Sequence, residues 1–192
     1  MNTKNLKNIA DVIAGYAFRI ALKQQIDGLM NVIQSKNVID DLYINKDNLT
    51  KINLQKYQSK AFIKENDIII SSRGSFKVSV VTGDVVNTIA SSSVYILRLK
   101  DKSIIPEYLA IYLNSINGQK EIREKITGSV IKTILRKDLE NLEIPLPDKN
   151  IQNKIINLYK NNQAQQKLLT RKKILTNEIV ESSIFNLLKQ YD

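Results

Sequence analysis

The residues best suited to binding chemistry lie in one short segment, residues 71–77, which reads Ser-Ser-Arg-Gly-Ser-Phe-Lys. β-Branched residues flank it at 68–70 and 78–81, so the pattern predicts two strands joined by a turn at Arg73-Gly74-Ser75. An arginine at such a turn can enter a DNA groove and form two hydrogen bonds with one guanine. Glycine allows the turn, and the serines and lysine can bind phosphate oxygens. The other residues of the predicted contact are therefore Ser71, Ser72, Gly74, Ser75 and Lys77. The alternative is an ordinary hairpin with a polar tip.

A second candidate segment, residues 15–19, reads Gly-Tyr-Ala-Phe-Arg. It places two aromatic rings beside a cation, a combination that suits nucleic acid, and we expect Tyr16 and Arg19 to contact DNA. In the alternative interpretation the segment ends a helix, and its aromatic side chains pack in the core.

A third candidate, residues 127–133, is expected to lie between helices and reads Thr-Gly-Ser-Val-Ile-Lys-Thr. Its glycine, hydroxyl and cationic residues suit contact with the DNA backbone, and we assign this role to Gly128, Ser129 and Lys132. A plain connector between two helices explains the same composition.

Several kinds of active site are missing from the sequence. The chain has no histidine and no cysteine, which removes Ser-His-Asp triads and the usual zinc sites. Its six glycines form neither a GxGxxG fingerprint nor a P-loop. The chain also lacks the glycine-rich cofactor loop and the Asn/Asp-Pro-Pro-aromatic element of a DNA adenine methyltransferase. Close carboxylates such as Glu121 and Glu124 are interpreted as solvated surface, so the sequence argues against an enzyme.

The charge of the chain favours a polyanionic partner. The net charge is +10, and residues 51–100 carry eight basic residues against three acidic ones. Residues 154–173 carry six basic residues and no acidic one. Clustered cations of this kind bind DNA by releasing its counterions. No apolar run approaches the length of a membrane span or of a signal peptide, so we expect a soluble, cytoplasmic protein with no membrane contact.

The order of elements up to residue 147 predicts a mixed α/β domain. Residues 6–13 place Leu6, Ile9, Ala10 and Ile13 at helical spacing. Strands are predicted at 68–70, 78–81 and 93–99 from their β-branched content. A helix is expected to begin at Pro106, because proline suits the first helical turn, and another short helix is expected at 119–126.

Pro145 and Pro147 predict an extended segment and a domain boundary, since proline disfavours helix in the residue before it. Beyond it, residues 148–190 contain neither proline nor glycine and predict one long helix. We therefore expect a recognition domain at 1–147 and, at 148–192, a helix that forms an intermolecular coiled coil. The expected dimer contacts are Ile155, Leu158, Leu168, Leu169, Leu175 and Ile179. The alternative is a helix that packs wholly against its own domain.

Taken in order, these segments resemble the target recognition domain and following helix of type I restriction–modification specificity subunits. The similarity includes the segment from Ile63 to Ser75, which has Asn66 where the family commonly has glycine. It continues with the helix after Pro106, Thr127-Gly128-Ser129, and Leu139-x-x-Leu-Glu-Ile-Pro-Leu-Pro147 followed by Ile151-Gln152. Each motif is loose, but their order and spacing cover nearly the whole chain.

The resemblance implies a non-catalytic subunit that positions methyltransferase subunits, and optionally restriction subunits, on a two-part target in double-stranded DNA. S-adenosylmethionine, ATP and magnesium would then belong to the partner subunits. Full-length members carry two recognition domains separated by paired helices, whereas this sequence shows one of each. A homodimer that pairs its helices antiparallel would restore the arrangement, and so would pairing with a different half-subunit.

Three other functions fit parts of the pattern. A stand-alone DNA-binding regulator would bind its site without a methyltransferase. A basic helical scaffold would bind DNA weakly or not at all. A nuclease of unrecognised type would cleave DNA when magnesium is supplied.

Overall fold

A computed structural model of the chain describes residues 2–19, 21–39, 41–53, 59–83, 85–128 and 132–189. The chain divides into two compact units, Met1–Gln152 and Asn153–Asp192. The first is a mixed α/β unit, and the second consists of most of one long helix. The predicted α/β fold with a long C-terminal helix is therefore confirmed, while its pairing in a coiled coil stays a prediction.

Short strands and helices follow one another until the last helix. The strands are β1 (Thr3–Asn5), β2 (Ala10–Ala14), β3 (Met30–Ile33), β4 (Thr50–Ile52), β5 (Ile68–Ser71), β6 (Val78–Val80), β7 (Thr88–Ala90), β8 (Val94–Leu99), β9 (Ile126–Thr127), β10 (Thr133–Ile134) and β11 (Glu143–Pro145). The helices are α1 (Leu6–Ile9), α2 (Pro106–Asn114), α3 (Ile116–Glu124), α4 (Arg136–Glu140) and α5 (Lys149–Leu188). Single 3-10 turns lie at Ser35–Asn37 and Lys46–Asn48.

Four strands form the central sheet in the order β2-β8-β5-β6, and every neighbouring pair is antiparallel. β5 lies inside this sheet, and its residues Ile68, Ile69 and Ile70 are fully buried. A strand buried on both faces reads as a continuous apolar run. For this reason the sequence predicted β5 correctly, and the predicted strands β6 and β8 are confirmed as well.

A second sheet has the order β4-β3-β7, with β3 antiparallel to β4 and parallel to β7. The two sheets share one core, because Ile69 and Ile96 of the central sheet lie in the same cluster as Ile89 of the second. At the edge of the central sheet, α2 packs against β6. The side chain of Asn114 accepts a hydrogen bond from the Val78 N–H (3.0 Å) and donates one to the Val78 carbonyl (2.6 Å). Asn114 thereby pairs backbone groups of an edge strand.

The helix predicted at residues 6–13 is wrong after its first turn. α1 ends at Ile9, and β2 then pairs with β8 in antiparallel register. Residues 10–12 alternate between buried and exposed positions, as a strand does. The spacing of the apolar residues fits both a helix and a strand. The strand forms because β8 offers backbone hydrogen-bonding groups that only an extended segment can pair with.

The helix predicted at 119–126 begins and ends earlier, at Ile116 and Glu124. It begins there because the hydroxyl of Ser115 accepts a hydrogen bond from the N–H of Gly118 (3.2 Å) and caps the first turn. Ile126, which was expected to be helical, lies in β9. The helix predicted to begin at Pro106 is confirmed as α2.

The segment around the two C-terminal prolines is extended as predicted, and β11 pairs with β1. The carboxylate of Asp148 then caps α5 by accepting a hydrogen bond from the Ile151 N–H (3.0 Å). α5 contains 40 residues, so it is roughly 60 Å long at about 1.5 Å per residue. Among the described residues, no helix combines the length and the apolar character needed to cross a bilayer.

The first turn of α5 belongs to the globular unit because of Gln152, which is fully buried. Its side-chain oxygen accepts a hydrogen bond from the Ile105 N–H, and its amide donates to the carbonyls of Ser103 and Pro147, each at 2.9 Å. The compact unit accordingly extends to Gln152. The division of roles between residues 1–147 and 148–192 stays a prediction.

A tight turn before β5 explains the asparagine that stands where the resembled pattern has glycine. Asn66 has a φ of 66°, in the left-handed region. Its N–H donates to the carbonyl of Val81 (2.9 Å), and the N–H of Asp67 donates to the carbonyl of Lys64 (3.1 Å). Glycine adopts this conformation at the lowest cost, and asparagine is among the best tolerated of the other residues.

Substitution at Asn66 should therefore separate backbone conformation from side-chain contacts. We expect Asn66→Ala to lower the free energy of unfolding by about 1–2 kcal/mol, because a Cβ without a local polar partner is strained at this φ. Asn66→Gly should change it by less than about 0.5 kcal/mol, because glycine relieves the strain and costs backbone entropy. Urea unfolding of the full chain measures both values. Equal destabilisation by the two substitutions would show that the asparagine side chain matters more than φ.

Candidate nucleic-acid interface

The first candidate segment, residues 71–77, forms the connection between β5 and β6 and is called the Arg73 turn below. Gly74 and Phe76 both have positive φ, of 78° and 50°. Phe76 is buried, and its carbonyl accepts a hydrogen bond from the side chain of Gln119 (3.1 Å). This buried anchor holds the turn, so that Arg73, Gly74 and Ser75 are exposed at its tip.

The third candidate segment, called the Gly128 loop (residues 127–133), lies between α3 and α4, as expected. β9 and β10 pair antiparallel at its two ends, and Gly128 has a φ of 98°. Ser129 lies outside the described residues.

The structure brings the Arg73 turn and the Gly128 loop together. The Gly74 N–H donates to the Lys132 carbonyl (3.1 Å), and the Ile134 N–H donates to the Ser72 carbonyl (3.2 Å). Between them, Arg73 and Thr133 form an antiparallel bridge. Two segments far apart in the sequence thus form one short β-ribbon, in which Arg73 lies opposite Thr133 and Lys132 lies opposite Gly74.

The second candidate segment, called the aromatic loop (residues 15–19), reaches the same edge of the sheets by a close backbone approach. A Cβ on Gly15 would lie 1.9 Å from the Ser91 carbonyl oxygen, so only glycine fits there. The rings of Tyr16 and Phe18 meet edge to face at 4.8 Å and are half-buried against the hydrophobic core. The aromatic side chains therefore pack in the core, as the alternative interpretation held, although no helix ends here. Arg19 is exposed.

A fourth segment, which the sequence did not single out, joins the aromatic loop to the Arg73 turn. Residues 91–93, the serine turn, connect β7 to β8. The N–H of Ser92 donates to the Tyr16 carbonyl (2.8 Å), and the N–H of Ser72 donates to the Ser93 carbonyl (3.0 Å). Three consecutive serines before a predicted strand are a visible turn signal, but only the fold shows which loops the turn joins.

Two residues that were predicted to bind phosphate are buried in the structure. Ser71 and Ser72 are buried, and the Ser72 hydroxyl donates to the Ser92 carbonyl (3.4 Å). Their hydroxyls cannot reach a phosphate, because Ser71 lies within β5 and Ser72 faces the serine turn. Lys77 is half-buried, and its carbonyl accepts a hydrogen bond from the Ser71 N–H (3.1 Å). The surface available to DNA is therefore smaller than predicted.

The exposed cations of this edge differ from the structural arginine of the same sheet. Arg98 makes a bidentate pair with Asp67 and also donates to a backbone carbonyl. In the part of the chain that the structure describes, the side chains of Arg73, Lys132 and Arg19 have no such partner. Their positive charge remains available, and hydroxyls such as that of Ser75 lie beside it. Cations and hydroxyls on one exposed edge are the groups that bind phosphates and guanine.

The residues predicted for the dimer interface lie along α5. Leu158, Leu168, Leu169, Leu175 and Ile179 are exposed, with Leu168 at 70%, whereas Ile155 is half-buried. At about 100° per residue these six positions fall within about 160° of the helix circumference, so they share one broad apolar stripe. Leu168, Leu175 and Ile179 lie toward one side of this stripe, and Ile155, Leu158 and Leu169 lie toward the other. Contiguous apolar surface left in solvent is typical of surfaces that bind another molecule.

Comparison with known proteins identifies a family and a shared fold. Residues 1–179 match the family described as the type I restriction modification DNA specificity domain. No curated protein matches the sequence. One similar solved chain comes from a study of complex assembly and conformational transition of the type I R-M system, with a TM-score of 0.67 and 22% identity over 91% of this chain. Others are the HsdS subunit from Thermoanaerobacter tengcongensis (TM-score 0.61, 23% identity) and the type I S subunit from M. genitalium (TM-score 0.60, 19% identity), each over 88% of this chain.

The likeness covers only part of those proteins, because this chain spans 41%, 39% and 40% of their respective lengths. The structural similarity shows a shared fold, and the sequence match extends through the recognition unit into α5. On that match, this chain belongs to the type I restriction modification DNA specificity domain family.

Proposed function

We propose that this chain reads one half of a bipartite DNA target and directs methyltransferase and restriction subunits to it. The observation that carries the proposal is the pairing of the Arg73 turn with the Gly128 loop, which places two exposed cations on one ribbon in a chain of this family. The net charge of +10 supports the same partner, because cations gain affinity for DNA by displacing its counterions.

The ribbon suits the major groove, which admits a two-stranded β-ribbon. Arg73 carries a planar guanidinium that matches the O6 and N7 acceptors of guanine. Lys132 and Ser75 lie on backbone segments next to it and are suited to the phosphates that border the groove. In this arrangement Arg73 contributes sequence preference, and its neighbours contribute position and salt-dependent affinity.

A bipartite target needs two readers, and this chain has one globular unit and one long helix. Two copies that pair their α5 helices antiparallel would supply identical readers related by a twofold axis. Such readers recognise inverted copies of one half-site, so the target would be an interrupted palindrome with a spacing set by helix length. Pairing with a different recognition chain would instead give two unrelated half-sites.

The broad apolar stripe of α5 suits the second copy in this proposal. It carries all of the predicted dimer contacts, which are Ile155, Leu158, Leu168, Leu169, Leu175 and Ile179. Pairing would remove this stripe from water, at a gain of about 25 cal/mol for each Å² of apolar surface. The methyltransferase subunit then docks on the part of α5 that the second copy leaves uncovered.

Catalysis takes place in the partner subunits in this proposal. S-adenosylmethionine, ATP and magnesium bind to those subunits. In the cytoplasm, this chain selects the DNA site at which they act. The sequence supports this division, because it contains no histidine, no cysteine and no glycine-rich nucleotide loop.

The first prediction concerns Arg73. We expect Arg73→Ala to weaken binding to the preferred duplex by about 1–3 kcal/mol, because the bidentate contact is lost. Arg73→Lys should recover affinity for any duplex but not the sequence preference, since lysine keeps the charge and lacks the fork. Fluorescence anisotropy with a selected duplex and a scrambled duplex, at one salt concentration, measures both effects. Lys102→Ala, which removes an exposed cation beyond the other end of β8, is the control. Unchanged binding by Arg73→Ala would remove this residue from the interface.

The second prediction concerns assembly. Leu168→Glu together with Leu175→Glu should dissociate the dimer, because both charges lie on one stripe of α5. Analytical ultracentrifugation at micromolar concentration measures the mass, and circular dichroism checks that the globular unit remains folded. Gln166→Glu with Thr170→Glu adds the same charges at polar, exposed positions and should leave the dimer intact. A wild-type chain that is monomeric both alone and with a methyltransferase subunit would contradict the proposal.

The third prediction concerns catalysis. The purified chain, incubated with DNA, S-adenosylmethionine and magnesium, should neither transfer methyl groups nor cleave. Adding a methyltransferase subunit should produce methylation at the selected target, measured as incorporated radiolabel. Turnover by the chain alone that follows it through every purification step would show that it is an enzyme.

A further inference from the structure

The serine turn is fixed to both neighbouring loops through its backbone. The Ser92 N–H donates to the Tyr16 carbonyl (2.8 Å), and the Ser92 carbonyl accepts from the Ser72 hydroxyl (3.4 Å). The next residue, Ser93, accepts the Ser72 N–H at its carbonyl (3.0 Å). The position of Ser92 between the aromatic loop and the Arg73 turn is therefore determined on two sides.

The side chains of this turn point in different directions. Ser91 is buried, and its hydroxyl lies 2.8 Å from that of Ser93, which also accepts a hydrogen bond from the Ser35 N–H (3.0 Å). These two hydroxyls are used inside the protein. Ser92 is exposed, and its hydroxyl has no hydrogen-bond partner within the residues that the structure describes.

We propose that Ser92 is a further DNA contact and that its hydroxyl binds a phosphate oxygen between Arg73 and the aromatic loop. The inference rests on the proposed function and adds a residue to the same site. A phosphate is favoured over a base edge because the serine side chain is short and its turn is held against the sheet. The major groove is about 8.5 Å deep, so a short side chain on a fixed turn meets the outer backbone first, whereas Arg73 can reach the bases.

Ser92 thus makes the recognition surface continuous. The Arg73 turn lies on one side of it, and Arg19 ends the aromatic loop on the other. A hydroxyl between cations suits a phosphate, since it donates a hydrogen bond without adding to their mutual repulsion. The role is positioning, so it should strengthen binding to every duplex by the same factor.

Two substitutions in the full chain test this role. Ser92→Ala should weaken binding by about 3- to 10-fold, equally for a duplex selected from a randomised library and for a scrambled duplex. Ser92→Asp should weaken both by at least about 10-fold, because a carboxylate repels phosphate. The melting temperature should not change for Ser92→Ala, since the hydroxyl makes no internal bond. Asn150→Asp, which adds the same charge at an exposed site in the first turn of α5, is the matched control and should bind as the wild type does.

Each outcome separates the inference from the proposed function. Wild-type affinity for both duplexes in Ser92→Asp would overturn the contact. A loss by Ser92→Ala that is confined to the selected duplex would make Ser92 a base reader and overturn the phosphate assignment. A wild-type chain that selects no preferred duplex would refute the proposed function, whatever the Ser92 variants show.

Discussion

An ion pair between Asp67 and Arg98 holds the central sheet in register. The Nε and Nη2 atoms of Arg98 donate to the two carboxylate oxygens of Asp67 at 2.9 and 2.7 Å, and Asp67 is only 2% exposed. The same Nη2 donates to the Phe62 carbonyl (2.8 Å), and the Asp67 carboxylate accepts the Lys64 N–H (2.7 Å). The hydrogen bonds with Asp67 raise the pKa of the Arg98 guanidinium. Loss of Arg98 would leave the buried carboxylate of Asp67 without its charged partner, which is strongly destabilising.

The consequences of this pair reach the recognition edge through strand register. Asp67 directly precedes β5 and Arg98 lies in β8, so the pair sets Ile68 opposite Leu97. β5 is buried on both faces, so a slip by one residue would still bury apolar side chains, and the contact of Asp67 with Arg98 is what distinguishes the native register. The same register brings the far end of β5 beside the serine turn and the Gly128 loop. Strand register therefore positions these loops, and the ion pair is one of the interactions that maintain it.

Two features that cost folding free energy lie in the segment where DNA binding is proposed. The Ser71 hydroxyl is buried without a hydrogen-bond partner in the described part of the chain, and Phe76 has a positive φ. Both lie in the Arg73 turn, and sites that bind often depart from the rules that stabilise a fold. α5 shows a related cost, because apolar side chains such as Leu168 are exposed along it.

The sequence by itself determined the features that depend on neighbouring residues. The continuous apolar run predicted β5, and Pro106 predicted the start of α2. The absence of proline and glycine predicted the long helix. The three candidate loops were singled out by their residue types. Only the tertiary structure decided that β2 is a strand, that Ser71 and Ser72 are buried, and that the serine turn joins the aromatic loop to the Arg73 turn. The physical reason is that strand order and register place distant segments side by side. Hydrogen bonds between such segments override the helical or strand periodicity of each segment. The residue pattern of one segment does not show which other segment it will pair with.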